Sequence, residues 1–346
     1  MISATSARPL HPLEKAKVTV RAHLSLLRLD HWVKHIFVVP GIVIAISITA
    51  TALDQALVFR TLLGLAAVIA AASSNYVLNE LLDAPFDRQH PTKHLRPAAS
   101  RSIHVPFAYA QWLVCAAIGF VLALAVSRFL FFSVLSLWVM GCIYNIPPVR
   151  TKDVVYLDVL TESINNPIRL CVGWYIVTAT VIPPASLLIA YWMLGAYFMA
   201  LKRFSEYRQI GRASAIKYRR SFEFYNEQSM LASVLFYAAA SMLFFGAFIM
   251  RYRVEMVFAF PFIALLMADY FKLSFVEDSP VQHPEKLYRE PRMMALLTAC
   301  CIVLAVMSFV NLPWLGRVFP KSGTSQMTHP RAVLSISQLT PAPDAD

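Results

Sequence analysis

Residues 79–88 close a long apolar run and read Asn79-Glu80-Leu81-Leu82-Asp83-Ala84-Pro85-Phe86-Asp87-Arg88. The run before them, from about residue 62 to residue 82, carries no charge until Glu80. A run of this length can cross a bilayer, so its polar end is expected where the helix meets water. The stretch therefore predicts a membrane helix that carries a polar cluster at one membrane face.

The polar residues of this stretch have helical spacing. Asn79, Asp83 and Asp87 recur every four residues and would share one face of a helix, although Pro85 is expected to interrupt an ideal helix. Two carboxylates and an amide suit Mg²⁺, which usually completes its shell with a phosphate-bearing partner. The alternative is a solvated loop between two membrane helices. Cationic side chains suited to a phosphate follow closely: Arg88, Lys93, Arg96 and Arg101.

The composition sets the protein class. The 346 residues are 58% hydrophobic and 15% charged, with a mean hydropathy of +0.56, which is too apolar for a soluble domain. The net charge of +11 indicates basic loops near anionic lipid head groups, and no nucleic-acid partner is expected. Five cysteines lie in apolar segments without metal-ligand spacing and are interpreted as small buried hydrophobes: Cys115, Cys142, Cys171, Cys300 and Cys301.

Apolar periodicity predicts an all-α polytopic membrane protein with about nine transmembrane helices. We expect a basic N-terminal segment at 1–35, a transmembrane catalytic domain at 36–312, and a disordered tail rich in Pro, Ser and Thr at 313–346. The apolar runs lie at about 36–53, 59–82, 106–126, 129–147, 157–179, 183–202, 229–250, 255–273 and 292–311.

Basic residues predict the orientation in the membrane. Several precede the first apolar run, which predicts a cytoplasmic N-terminus. Counting nine crossings then places the C-terminal tail outside and four connections on the cytoplasmic side, at 83–105, 148–156, 203–228 and 274–291. The loop 203–228 is strongly basic, whereas the opposite connections hold only Arg128, Arg251 and Arg253 as basic residues.

A second polar cluster leads into the fifth apolar run, with the sequence Tyr144-Asn145-Ile146-Pro147-Pro148-Val149-Arg150-Thr151-Lys152-Asp153. Beyond it, Asp158, Glu162, Asn165 and Arg169 form a stripe at helical spacing, with Asn166 beside it. A charge within a membrane helix costs about 2.5–3.5 kcal/mol, so the stripe is expected to be paired or to line a water-filled cavity. The alternative is an ion pair between Glu162 and Arg169 that only joins helices.

A third cluster follows the sixth apolar run and precedes the seventh. It contains Lys202-Arg203-Phe204-Ser205-Glu206-Tyr207 and, after a basic loop, Arg220 and Tyr225. Basic residues in a cytoplasmic loop are expected on topological grounds alone. However, all three clusters fall on the same membrane face, as one active site assembled from several helices requires.

These residues resemble a known family over roughly residues 25–311. The Asn-x-x-x-Asp-x-x-x-Asp stretch, the second Asp cluster and the nine runs are similar to the UbiA superfamily of intramembrane prenyltransferases. Within it, the chain most resembles the decaprenyl-phosphate phosphoribosyltransferase branch, which joins phosphoribosyl pyrophosphate to a polyprenyl phosphate. The segments that carry this finer resemblance are Leu27-Arg28 with Trp32-Val33-Lys34, His90-Pro91-Thr92-Lys93 with Arg96-Pro97, and Lys202-Arg203-Phe204-Ser205-Glu206.

The resemblance implies a cytoplasm-facing cavity in an all-helical bundle of the bacterial inner (plasma) membrane, with a side opening for a lipid chain. It implies Mg²⁺ bound by Asp83 and Asp87, with help from Asn79 and Asp158. The expected partners are a polyprenyl lipid, a diphosphate-containing donor and membrane lipids, and a homo-oligomer is left open. The chain departs from the branch at Glu80, which often is Asp there, and in the unusually polar residues 162–167, so the acceptor stays open.

The chemistry follows from the leaving group. A diphosphate held by Mg²⁺ departs while cationic side chains offset its charge, leaving an oxocarbenium-like ribose carbon or an allylic cation. The predicted function is a polyprenyl-phosphate phosphoribosyltransferase, and the alternatives are a prenyltransferase with an aromatic acceptor and a non-catalytic lipid-phosphate transporter. The predicted catalytic residues are Asp83, Asp87, Asp158, Lys202 and Arg203. The predicted substrate-binding residues are Lys34, Asn79, Arg88, Lys93, Arg96, Tyr144, Arg150, Asn166, Arg169, Glu206, Arg220 and Tyr225.

Overall fold

The computed structural model describes residues 20–88, 93–100, 103–211, 220–282 and 284–319, and within these ranges all regular elements are helices. The predicted all-α class is therefore confirmed. Residues 20–26 are helical, and short 3-10 segments lie between several of the longer helices. The α-helices that follow are α1 Val39–Thr49, α2 Gln55–Asp87, α3 Val105–Val126, α4 Arg128–Asn145, α5 Leu157–Ser163, α6 Asn165–Val177, α7 Ala185–Ile210, α8 Glu227–Tyr252, α9 Phe260–Leu273, α10 Pro291–Phe309 and α11 Pro313–Val318.

Seven helical segments in the described part of the chain are long and apolar enough to cross a membrane. The predicted count of nine is not confirmed, because two of the nine apolar runs are divided. The first consists of the 3-10 segment Leu29–Val38 and α1, and the fifth consists of α5 and α6, which meet at Ile164. Pro167 explains the second division, since its ring has no N–H to donate and clashes with the carbonyl of residue 163 in a continuous helix.

Helix α2 positions the first polar cluster. Its 33 residues span about 50 Å, more than the hydrocarbon core of a bilayer. Asp54 caps its start by accepting a hydrogen bond of 2.7 Å from the Leu57 N–H. The interruption expected at Pro85 does not occur, because Pro85 lies in the last turn, where a missing N–H removes one hydrogen bond near the helix end. The residues at the polar end of α2 therefore keep their helical spacing.

Two apolar cores hold the bundle together. One lies between α1, α2, α3, α4 and α6 around Trp174 and Leu137, and the other lies between α5, α7, α8, α9 and α10 around Tyr197 and Met267. Burial of such side chains provides most of the packing that fixes helix positions. The ends of α2, α4 and α7 and the starts of α5 and α8 meet at one end of the bundle, where the polar residues gather.

The predicted tail begins differently from expectation. Its first residues form the short helix α11, and Leu315 is buried, because the helix packs against the 3-10 segment Val254–Ala259. The remainder of the predicted tail, from residue 320, lies outside the described residues, as do residues 1–19 of the N-terminal segment.

Helices α1 and α6 approach each other through two glycines. A Cβ added to Gly41 would overlap the carbonyl oxygen of Leu170, and one added to Gly173 would overlap the carbonyl oxygen of Val38. Only glycine permits this separation of the two backbones. The contact places α6, and hence its polar stripe, in the middle of the bundle.

We predict that Gly173→Ala separates α1 from α6 and destabilises the protein by about 1–3 kcal/mol, the usual cost of overpacking. Gly246→Ala is the matched control, because a Cβ there meets nothing within 4 Å and alanine favours a helix by up to about 1 kcal/mol. Thermal unfolding of the detergent-purified variants, followed by circular dichroism, measures the difference. Equal unfolding temperatures for the two variants would contradict the close contact.

Candidate active site

A buried lysine joins three parts of the chain at the polar end of the bundle. Lys152 lies in the 3-10 turn Thr151–Asp153 between α4 and α5. Its Nζ donates to Asp83 Oδ1 at 2.5 Å, Asn145 Oδ1 at 2.9 Å and Asn79 Oδ1 at 3.2 Å. These bonds match the three donors of an ammonium group. Lys152 thus ties the polar face of α2 to the end of α4.

Arg150 supplies a second cation to the same carboxylate. Its Nη2 is 3.0 Å from Asp83 Oδ1, its Nε is 2.9 Å from Asp153 Oδ2, and its guanidinium stacks over the Phe86 ring at 5.2 Å. Its backbone φ of 26° is strained for a residue with a Cβ, at a cost on the order of 1–3 kcal/mol. The surrounding contacts offset this strain, and they hold the guanidinium beside α2.

The last turn of α2 holds the loop 93–100. Asp87 Oδ2 pairs with Arg96 Nη1 at 2.7 Å, and Arg88 Nε donates to the Ala99 carbonyl at 3.2 Å. Arg88 therefore has a loop-fastening contact, and Arg96 neutralises Asp87. Both predicted substrate-binding residues lie beside the Asp motif.

Glu80 fastens two further segments to α2. Its side chain is almost fully buried, with one oxygen 3.3 Å from Arg28 Nη2 and the other accepting from the Ala98 N–H at 3.3 Å. A longer side chain than aspartate reaches both partners. The departure noted at Glu80 thus has a structural role: it anchors the N-terminal segment and the loop 93–100.

The second cluster surrounds Asp158, which is fully buried. Tyr225 donates to Asp158 Oδ1 at 2.8 Å and accepts the Tyr156 N–H at 2.7 Å, while Ser221 donates to Asp158 Oδ2 at 3.2 Å. Burial and the neighbouring Asp158 carboxylate raise the pKa of Tyr225 well above its ordinary value, so its hydroxyl stays protonated and donates. Asp158 is therefore held by the segment that precedes α8.

Arg203 is shared by three carboxylates. Its guanidinium lies 2.9 Å from Glu206, 3.1 Å from Glu162 and 3.6 Å from Asp158, and its side chain is buried. Glu162 thus pairs with Arg203 of α7, in place of the ion pair with Arg169 considered from the sequence. One cation among three carboxylates leaves an excess of negative charge, which suits hydroxyl groups that donate to carboxylate oxygens.

Tyr144, at the end of α4, connects the two clusters. Its hydroxyl donates to Glu162 at 2.7 Å, and its ring lies 5.9 Å from Lys152 Nζ. The two clusters therefore form one continuous polar region built from α2, α4, α5, α7 and the start of α8.

The remaining predicted site residues lie at the edges of this region or away from it. The Asn166 amide packs where Gly195 of α7 leaves room, Lys202 is half-buried, and Arg220 is exposed. Arg169 lies deeper, on α6. The side chains of Lys34 and Lys93 lie outside the described residues.

The sequence reasoning missed three residues of the region: Lys152, Asn145 and Ser221. Lys152 and Asn145 stand within the quoted second cluster, between residues that were selected. A lysine placed directly after two prolines and an arginine, next to an apolar helix, was the signal that could have identified it. Ser221 gave no such signal, because its partner Asp158 is distant in sequence.

The oxygen donors of α2 fit Mg²⁺ under one condition. In the described part of the chain, no three His, Cys, Asp or Glu side chains are close enough to hold a metal by themselves. Asp83 and Asp87 are instead paired with Arg150, Lys152 and Arg96. They fit a Mg²⁺ ion that arrives with a diphosphate, since the displaced cations can then bind the phosphate oxygens. Asp158 does not fit as a ligand, because protein donors occupy both its oxygens.

Comparisons with known proteins give consistent results. Residues 37–298 match the family described as the UbiA prenyltransferase family. Nodulation protein NoeC of Azorhizobium caulinodans is 32% identical over 222 residues, which are 63% of this chain and 68% of that protein.

Solved structures share the fold. A UbiA homolog from Archaeoglobus fulgidus bound to GPP and Mg²⁺ has a TM-score of 0.62 and 20% sequence identity, over 82% of this chain and 99% of that chain. The same values describe the homolog bound to DMAPP and Mg²⁺.

We predict that Glu80 and Arg28 are energetically coupled by about 1–3 kcal/mol, because breaking the pair leaves a charge largely buried. A double-mutant cycle of Glu80→Gln and Arg28→Met, measured by thermal or denaturant unfolding in detergent, gives this value. The control cycle combines Arg28→Met with Asp87→Asn, whose side chains share no contact, and should show coupling near zero. Similar coupling in both cycles would contradict the anchoring role of Glu80.

Proposed function

Because this chain belongs to the UbiA prenyltransferase family, we propose that it is a polyprenyl-phosphate phosphoribosyltransferase that uses phosphoribosyl pyrophosphate as its donor. The coarser part of this statement, a UbiA-type transferase in an all-helical membrane fold, follows from the family and the fold. The donor and the acceptor are the proposal.

The observation that carries the donor assignment is the second polar cluster beside the first. A prenyl diphosphate has one polar group, which the cluster at Asp83, Arg150 and Lys152 can bind. Phosphoribosyl pyrophosphate also has a 5-phosphate and two ribose hydroxyls. Arg203 suits the additional phosphate, and the carboxylates of Glu162 and Glu206 suit the hydroxyls. The second cluster would have no polar ligand in a prenyl-donor enzyme.

The reaction is a substitution at the ribose C1. An oxygen of the polyprenyl phosphate forms a bond to C1, while the bond between C1 and the pyrophosphate oxygen breaks and its electron pair leaves with pyrophosphate. The lipid phosphate is already an anion, so no general base is needed. Bound Mg²⁺ supplies positive charge to the leaving diphosphate.

The residues of this chain have distinct roles in that step. Asn79, Asp83 and Asp87 supply oxygen ligands for the ion, and Asp158 positions Tyr225 and Arg203. Arg150 and Lys152 move their charge from Asp83 to the departing pyrophosphate, which stabilises the transition state. The site would face the cytoplasm, where a soluble phosphorylated donor is present, in keeping with the basic loops beside it.

A second candidate is a prenyltransferase that transfers a prenyl group from a polyprenyl diphosphate to an aromatic acceptor. The structural relatives from Archaeoglobus fulgidus bound to GPP or DMAPP with Mg²⁺ favour it. The same α2 carboxylates would hold that diphosphate. The two candidates therefore differ in what the second cluster binds.

The test is to incubate purified protein and Mg²⁺ with radiolabelled phosphoribosyl pyrophosphate and farnesyl phosphate, and separately with radiolabelled farnesyl diphosphate and 4-hydroxybenzoate. We expect labelled lipid and released pyrophosphate in the first mixture only. Product in the second mixture alone would overturn the donor assignment and leave the metal-binding role of α2 intact.

Matched variants separate the two clusters in this assay. Asp83→Asn should abolish turnover with either donor, whereas Glu206→Gln should weaken only the phosphoribosyl reaction. Both variants must insert and purify like the wild type. Turnover by Asp83→Asn within a few-fold of wild type would exclude the proposed active site.

A further inference from the structure

Arg169 is a buried cation within the membrane-spanning part of the bundle. It lies on α6, eleven residues beyond Asp158, and only 9% of the residue is exposed. Its Nη1 donates to the Asn165 carbonyl at 3.3 Å, and its Nε has no hydrogen-bond partner in the described structure. The guanidinium has five N–H donors, so most of its hydrogen-bonding capacity faces no protein acceptor.

No described carboxylate forms an ion pair with Arg169. The ionisable groups that act on it are Tyr76 of α2, Tyr191 of α7 and Glu162 of α5. Glu162 is paired with Arg203, and the Tyr191 hydroxyl donates to the Phe37 carbonyl at 3.4 Å. The positive charge of Arg169 is thus not neutralised by a close partner.

An unpaired arginine at this depth is costly. Insertion scales give about 2.5–3.5 kcal/mol for such a charge, and buried charges are normally paired with an anion. Packing could have been satisfied by an apolar side chain at the same position. The structure therefore leaves a place for an anion that the protein itself does not supply.

The position of the guanidinium relates it to the candidate active site. Arg169 reaches back along α6 to Asn165, one turn closer to Glu162. It therefore lies on the far side of Glu162 from Asp158, deeper in the bundle than the residues proposed for the diphosphate. An anion held there is separated from the leaving group by the region proposed for the ribose.

We propose that Arg169 is the anion site for the acceptor, which under the proposed function is the phosphate of the polyprenyl phosphate. The two tyrosines that flank it, Tyr76 and Tyr191, suit an amphipathic ligand, because each presents an apolar ring and a polar hydroxyl. In the second candidate function, the carboxylate of an aromatic acid would be the anion. The recognised chemistry is the same in both cases: a single oxyanion on an apolar molecule.

The experiment measures acceptor binding separately from turnover. Purified wild type, Arg169→Gln and Arg169→Lys are titrated with farnesyl phosphate and with 4-hydroxybenzoate in the absence of donor. We expect Arg169→Gln to lose about 10- to 100-fold in affinity for the acceptor that the wild type binds, as for a lost charge-assisted contact. Arg169→Lys should recover part of the affinity. Arg60→Gln is the control, since Arg60 Nε also lacks a partner but lies near the opposite end of α2.

Steady-state kinetics give the second measurement. Arg169→Gln should raise the KM for the acceptor while the KM for the donor stays within about twofold. Wild-type binding of farnesyl phosphate identifies the lipid as the source of the anion, and binding of 4-hydroxybenzoate alone identifies the aromatic acid and rejects the proposed donor reaction without rejecting the site. Unchanged acceptor affinity in Arg169→Gln, or a rise in the donor KM only, would overturn the proposal. If Arg169→Gln does not fold, unchanged acceptor affinity in Arg169→Lys and Tyr191→Phe would overturn it.

Discussion

Asp83 accepts hydrogen bonds from both Lys152 and Arg150, and the arrangement of the polar end of the bundle depends on this shared carboxylate. The two cations belong to the connection between α4 and α5, so their contacts dock that connection onto α2. Asn79 and Asn145 complete the shell of Lys152 and align α2 with α4. Without them, a buried ammonium group would carry a large desolvation cost.

The same interaction explains how a metal site can be built from carboxylates that are already paired. A protein that holds two carboxylates near each other must neutralise them when no substrate is bound, and internal arginine and lysine side chains do this here. A diphosphate with its metal ion exchanges partners: the ion takes the carboxylates and the phosphates take the cations. The charge of the site is then balanced before and after binding.

Local patterns predicted the part of the site that lies on one helix. Four-residue spacing placed Asn79, Asp83 and Asp87 on one face, and α2 retains that face through Pro85. The pattern could not supply the partners of these residues, because the Lys152 and Arg96 contacts depend on how loops fold onto α2. The same limit applies to Glu80, whose partners lie 52 and 18 residues away.

Hydropathy likewise predicted the helical class but not the number of crossings. The apolar run at 157–179 reads as one span, yet Pro167 divides it into α5 and α6, and the break gives the polar stripe its direction. The pairing of Glu162 with Arg203 instead of Arg169 follows from the approach of α7, which no local pattern encodes. These tertiary contacts determine which side chains are neutralised and which await a ligand.

The account depends most directly on whether the metal ion enters with the diphosphate. Isothermal titration calorimetry of the purified protein with Mg²⁺ alone, pyrophosphate alone and both together measures this. We predict negligible binding of Mg²⁺ alone at physiological free concentrations, and clear binding of pyrophosphate in the presence of Mg²⁺ that is lost in Asp83→Asn. Saturable binding of Mg²⁺ alone that requires Asp83 would contradict the account, because it would mean that the carboxylates are available to metal while Lys152 and Arg150 remain in place.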